Sequence, residues 1–236
     1  MQTRLMKASS IQPPYFANTV RDYIPIAFEG LYHRTRTEVT DADKKLGLEL
    51  LIEANCDLID SGLVTLLDEL ARMNPSLKFE DTQVKVEDVK AKARYYIQWV
   101  GSYIANDRLP PVIEHYYTMM HQLELSGDSK PYLAFNITPE FATDLQRVLG
   151  SLADGSNDNL DEVIEMLVRA LEETMKPLFI TPKDLMKFNY VVDKTLNGVI
   201  ALVVSIYKRM LRKTIPEIPR ELYPRIAEHL NTFVVV

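Results

Sequence analysis

Residues 188–213 read FNYVVDKTLNGVIALVVSIYKRMLRK, and within them residues 195–207 carry no charge. This uncharged run is shorter than the roughly 20 apolar residues a helix needs to cross a bilayer. Extending it meets Asp193 and Lys194 on one side and Lys208 and Arg209 on the other. No membrane span is expected.

Projected at about 100° per residue, Phe188, Val192, Leu196, Val199, Val203, Ile206 and Met210 share one broad face. Lys187, Lys194, Asn197, Ser205, Lys208 and Arg212 share a narrower one that also holds Gly198 and Ala201. Small residues let a second helix approach closely. The segment therefore reads as a long core helix with one side left for a partner.

The remaining chain also reads as helical. Glycine is scarce, with 8 in 236 residues, and apolar residues recur at three and four rather than alternating by two. A first long helix is expected over 42–73, ended by Asn74 and Pro75 after a cap at Thr40 or Asp41. A second is expected over 84–106, with Val86, Val89, Ala93, Tyr96, Ile97, Val100 and Ile104 on one face. A third starts at Pro110 and Pro111 and closes at Gly127.

Thr138-Pro139 and Thr181-Pro182 each offer a threonine cap followed by proline at the first helical position. A helix over 160–176 is expected to stop at Pro177, with Asn159 and Glu162 spaced as a capping box after the loop ADGSNDN. A short helix over 220–231 follows the proline-broken run TIPEIPRELYP, and the apolar tail TFVVV has the composition to dock on the core. Residues 1–40, with Pro13, Pro14 and Pro25, read as an N-terminal arm with short helices. Residues 41–236 then form an all-α single domain with a possible sub-division near residue 130, a bundle of roughly six or seven main helices with a long central C-terminal helix.

Composition narrows the function classes. The chain is 47% hydrophobic and 25% charged, ordinary for a folded protein. A net charge of −6 supplies no broad positive field for nucleic acid. Cys56 alone rules out an intrachain disulfide and permits a reducing compartment, so a cytoplasmic location is the expectation. The start MQTRLMKASSIQPPYF lacks an apolar stretch of the length a secretory signal needs.

No hydrolase elbow, dinucleotide fingerprint, phosphate loop, zinc or calcium motif occurs, so neither a catalytic residue nor a cofactor is assigned. No metal site is expected either. His115 and His121 lie about 120° apart on a helix and cannot share one ion, and no glutamate has a histidine three residues on.

Two constellations remain. On the first long helix Leu48, Leu51, Leu58, Ile59, Leu66 and Leu70 share a face with Asn55 and Gly62, which places an amide in the core beside a glycine suited to close helix approach. The opposite face carries Glu49, Glu53, Asp57, Asp60 and Asp68. Charge complementarity pairs this acidic stripe with Lys194, Asn197, Gly198, Ala201, Ser205 and Lys208, within one chain or across a homodimer.

The leading expectation is thus a non-enzymatic interaction module, an adaptor or regulatory subunit with a protein partner. The alternative is a carrier or sensor of a small apolar ligand, with Tyr96, Trp99, Tyr103, Tyr116 and Met120 as pocket wall and Asn55 as polar anchor. An enzyme with an unrecognised carboxylate site would require Glu53 and Asp57 to be enclosed.

Overall fold

The computed structural model describes residues 11–77, 79–125, 127–155 and 160–236. Asn159 of the expected capping box lies outside them. The chain is mostly helical, as its periodicity indicates, but it also contains a four-stranded antiparallel sheet in the order β2-β3-β1-β4. The strands are β1 (Tyr15–Thr19), β2 (Met120–Leu125), β3 (Asp128–Asn136) and β4 (Val234–Val235). An all-α description is therefore corrected.

The reason is local. Met119, Met120 and Leu123 suit a helical face, but helix α5 (Leu109–Met119) ends where Met120 turns to extended backbone at φ −83°, ψ 119°. His121 thereby sits on a strand rather than on the third helix. Gly127, read as a helix stop, has φ +84° and lies in the hairpin between paired Leu125 and Asp128. Positive φ serves a helix end and a tight hairpin equally.

The segment expected as an arm contributes β1 and α1 (Tyr23–Thr35) to the fold. β1 pairs with β3 through Phe16↔Phe135 and Ala17↔Ala134, and with β4 through Phe16↔Val234. The Phe16 ring stacks with those of Phe135 and Phe233 at 5.6 and 5.7 Å. The apolar tail thus docks as an edge strand. On α1, Ile24, Phe28 and Leu31 are fully buried at helical spacing, with Phe28 stacked on Tyr116 of α5.

The first long helix is helical throughout its expected length but not regular. α2 (Asp41–Ile59) passes through a π-helical turn (Asp60–Val64) into α3 (Thr65–Met73). Its start is a reciprocal cap in which the Thr40 hydroxyl accepts from the Asp43 amide and the Asp43 carboxylate accepts from the Thr40 amide. A Cβ at Gly62 would meet nothing within 4 Å, so this glycine is not the close-approach point. That role falls to Gly101, where a Cβ would collide with Leu48, and to Gly47, where it would lie 3.1 Å from Ile113.

α4 (Glu80–Gly101) packs on α2, and α6 (Pro139–Ala153) packs on α10 (Tyr223–Asn231). The Thr138 hydroxyl caps α6 by accepting from the Phe141 amide at 3.2 Å. After α7 (Leu160–Met175) the expected stop at Pro177 does not occur. A second π-helical turn (Lys176–Ile180) carries the chain into α8 (Thr181–Met186), so Thr181 is a helical residue and not a cap. Lys187, at φ 49°, ends α8. The Asn189 side chain then caps α9 (Tyr190–Thr214), accepting from Val191 and Val192 at 3.1 Å each.

The long helix α9 is not central. Its only buried residues are Val192, Leu211 and Thr214, and it contacts chiefly α7, with a smaller contact to α4. Its apolar face therefore does not fill a packed core.

His229 of α10 lies against the first π-turn, its Nε2 donating to the Ser61 carbonyl at 3.0 Å. Burial pushes this imidazole below its ordinary value of 6.5, an effect that outweighs the opposing pull of nearby Glu69. Burial acts the same way on His121. A histidine with a depressed folded pKa contributes stability above 6.5 that is lost as pH falls from there toward the folded value, because the unfolded chain binds the proton first. Urea denaturation between pH 7 and pH 5 should accordingly show falling stability, with a shallower slope for His229→Gln.

Candidate functional site

Six helices make a closed ring by successive contacts, α2 to α4, α4 to α9, α9 to α7, α7 through the second π-turn to α8, α8 to α5, and α5 back to α2. Inside the ring lies a cavity of about 330 Å³. This is near the lower end of the roughly 300–1,000 Å³ of small-molecule sites.

Its wall is built from the apolar faces legible in the sequence. α2 and its π-turn supply Leu48, Leu51, Asn55, Leu58, Ile59 and Gly62. The whole expected face of α4 lines it, from Val86 through Ala93 and Tyr96 to Val100, followed by Ile104. α9 adds Leu196, Val199, Val203, Ile206, Tyr207 and Met210. α7 adds Leu167, Ala170, Leu171 and Thr174, and Leu145, Leu230 and Phe233 reach in from α6, α10 and the C-terminal segment. The lining is almost wholly carbon, so what it can do chemically is exclude water from an apolar guest.

The polar atoms of the wall are few. The Asn55 amide nitrogen donates to the Leu51 carbonyl one turn back at 2.7 Å. The hydroxyl of Tyr116 donates to the Leu178 carbonyl, and the His115 Nε2 to the Pro177 carbonyl at 2.7 Å. These two bonds have one origin. Pro182 has no N–H, so the carbonyls of Leu178 and Pro177, which residue 182 would serve under α or π pairing, need other donors. α5 provides them, and its histidine must carry its proton on Nε2 to do so. The buried Tyr116 phenol is pushed well above its ordinary range by desolvation.

Asn55, Tyr96 and Tyr116, three of the residues proposed for a pocket, are on the cavity wall. Trp99, Tyr103 and Met120 are not: Trp99 and Tyr103 pair edge to face at 5.1 Å outside it, and Met120 begins β2. Tyr207 was missed, although it stands among the apolar residues of α9 and its hydroxyl marks it as a polar position on that side.

The proposed interface residues are placed as follows. Arg21 pairs with Asp57 at 3.0 Å and reaches Glu53 at 3.6 Å, Lys90 holds Asp60 at 2.7 Å, and Lys45 lies 4.0 Å from Glu49. The basic side of α9 turns instead to α7, where Glu165 accepts from Lys208 at 2.8 Å and from Arg212 at 3.0 Å. Lys194 lies over the Tyr190 ring, and Asn197 donates to Asp193 at 3.0 Å. Gly198, Ala201 and Ser205 are exposed, and none of the described residues covers them. Cys56 is buried and desolvation raises its thiol pKa, the opposite of a nucleophile's environment.

By length and composition the 28-residue run Tyr190–Glu217 is apolar enough to cross a membrane, with an 18-residue window of mean hydropathy 1.3 that is 6% buried. That low burial arises because one side of α9 borders the cavity and the other faces outward. No family model, no curated protein and no solved structure matches this chain.

Tyr116→Phe removes the donor for the Leu178 carbonyl and leaves it buried. A loss of about 1–3 kcal/mol in denaturant unfolding is expected, a larger effect than removal of an exposed tyrosine hydroxyl such as that of Tyr95.

Proposed function

We propose that this protein is a carrier or sensor of a small apolar ligand held inside the ring of α2, α4, α9, α7, α8 and α5. The observation that supports this reading is the cavity itself, because three separate amphipathic faces point their side chains into it without meeting. An empty apolar cavity costs roughly 24 cal/mol per Å³. At about 330 Å³ the upper bound is about 8 kcal/mol, comparable with the whole stability of a typical domain at about 5–15 kcal/mol. The bound is not reached in full, since the half-exposed Lys92 side chain on the wall lets part of the space communicate with solvent. A guest that binds only the folded state offsets this cost by mass action.

On this reading α9 is a wall and not a membrane span, two of its basic residues, Lys208 and Arg212, being held by Glu165. Glu53 and Asp57, the carboxylates an enzyme site would need, are paired with Arg21 on the surface side of α2.

A second reading, an interaction module that dimerises through the outer side of α9, is favoured by Val191 and Leu202, which are 71% and 50% exposed there beside the small residues. Sedimentation of the intact protein decides it: a monomer at micromolar concentration removes the homodimer.

The carrier reading is tested by filling the space. Val199→Phe combined with Ala93→Phe places extra carbon in the cavity, and the expected outcome is a raised melting temperature for ligand-free protein. Binding of Nile red, a neutral apolar dye, should weaken at least about tenfold, the effect of about 1.4 kcal/mol. Unchanged dye binding in a variant that folds would remove the reading.

A further inference from the structure

We infer that the ligand is an uncharged molecule with one hydrogen-bonding oxygen, a hydroxyl or a carbonyl, on an otherwise hydrocarbon body, and that Tyr207 recognises this oxygen. The inference rests on the carrier reading and adds the chemical class of the guest.

The cations on the wall are already committed. Lys183 lies 2.6 Å from Asp193 and 3.2 Å from Asp184, and its side chain is only 10% exposed. Lys92 holds Asp88 at 2.5 Å. None of these three carboxylates lines the cavity. A ligand carboxylate placed away from these two lysines would be buried without a counter-charge, which is strongly unfavourable. A cationic ligand meets the same obstacle, because the wall presents no carboxylate.

Two phenols of the wall, Tyr96 and Tyr207, have no hydrogen-bond partner among the described residues, and of the two only Tyr207 packs against the core. The Thr174 hydroxyl donates to the Leu171 carbonyl at 2.7 Å, Asn55 to Leu51 at 2.7 Å, and Tyr116 to Leu178. Tyr207 stands on α9 between Val203 and Met210, and among the described residues its hydroxyl has no hydrogen-bond partner. It lines the cavity with part of its surface accessible, and desolvation pushes the phenol up to about 12. It is thus a neutral O–H donor throughout the physiological range. A donor on an apolar wall with no acceptor opposite it forgoes a hydrogen bond. A ligand oxygen supplies that acceptor.

The test uses Nile red bound to the purified protein at pH 8, displaced by decane, 1-decanol or decanoate. The three competitors share one chain length and differ only in the terminal group. We expect 1-decanol to displace the dye at a concentration roughly tenfold below that of decanoate, which must leave water as an unpaired anion. In Tyr207→Phe, which keeps the ring, displacement by 1-decanol should weaken roughly two- to tenfold, the range of one hydrogen bond, with decane within about twofold of wild type. Decanoate equal to or better than 1-decanol overturns the inference and leaves the carrier reading in place. So does a Tyr207→Phe effect equal for decane and 1-decanol. Failure of both Nile red and decane to bind overturns the carrier reading and this inference with it.

Discussion

The ring of six helices encloses more space than its inward-facing side chains fill, and the character of the molecule follows from that mismatch. Each helix touches its neighbours in the ring, yet the facing apolar surfaces of α2, α4, α7 and α9 stand apart around a cavity of about 330 Å³. Close packing is the rule in protein interiors. A void persists only where rigid contacts around it oppose collapse. Here those contacts include Leu48 against Gly101 between α2 and α4, and Lys208 and Arg212 on Glu165 between α9 and α7. The bonds from His115 and Tyr116 to the carbonyls before Pro182 fix α5 to the second π-turn.

The rest of the chain supplies the rigidity. β1 lies inside the sheet, between β3 and β4, so three segments distant in sequence are joined by backbone hydrogen bonds. Against this frame pack α5 and α10, with α1 on α5 and α6 on α10, and Ile24, Phe28, Leu31, Leu109 and Ala227 are fully buried. A dense core on this side leaves the other side free to be hollow, because stability does not depend on every apolar face finding a partner. α9, a 25-residue helix with three buried residues, contributes little to that core and borders the cavity. The division assigns scaffold and site to different parts of one chain.

The helices were legible because their apolar periodicity is strong, and the strands were not because theirs is weak. Residues 132–135 of β3 are buried in succession, so they show no alternation, and the start of β2 matches helical spacing as well as extended spacing. Pro177 signals a stop by local sterics, but a π-turn absorbs it and α5 supplies donors for the carbonyls that Pro182 leaves unserved. At the site, Asn55, Tyr96 and Tyr116 were readable from their faces. Trp99 and Tyr103 were grouped with them by helical spacing, but α4 ends at Gly101 and the two rings pair with each other outside the cavity. Tyr207 carried the opposite signal, a single hydroxyl on an apolar face, and its depth depends on α4 and α7 lying opposite.

The sequence by itself determined which residues point together: the α4 face from Val86 to Val100, the α2 face around Asn55, and the α9 face around Val199 and Val203. Helical periodicity is a property of a single element, and 100° per residue sets it before any neighbour arrives. Only the tertiary structure decided whether those faces would meet. Separation between helices is set by contacts at their ends and flanks, at Gly101, at Glu165 and at the carbonyls of Pro177 and Leu178. None of these is visible in the pattern of any one helix. The same apolar stripes are compatible with a packed bundle or a hollow one, and the distance between them makes the difference.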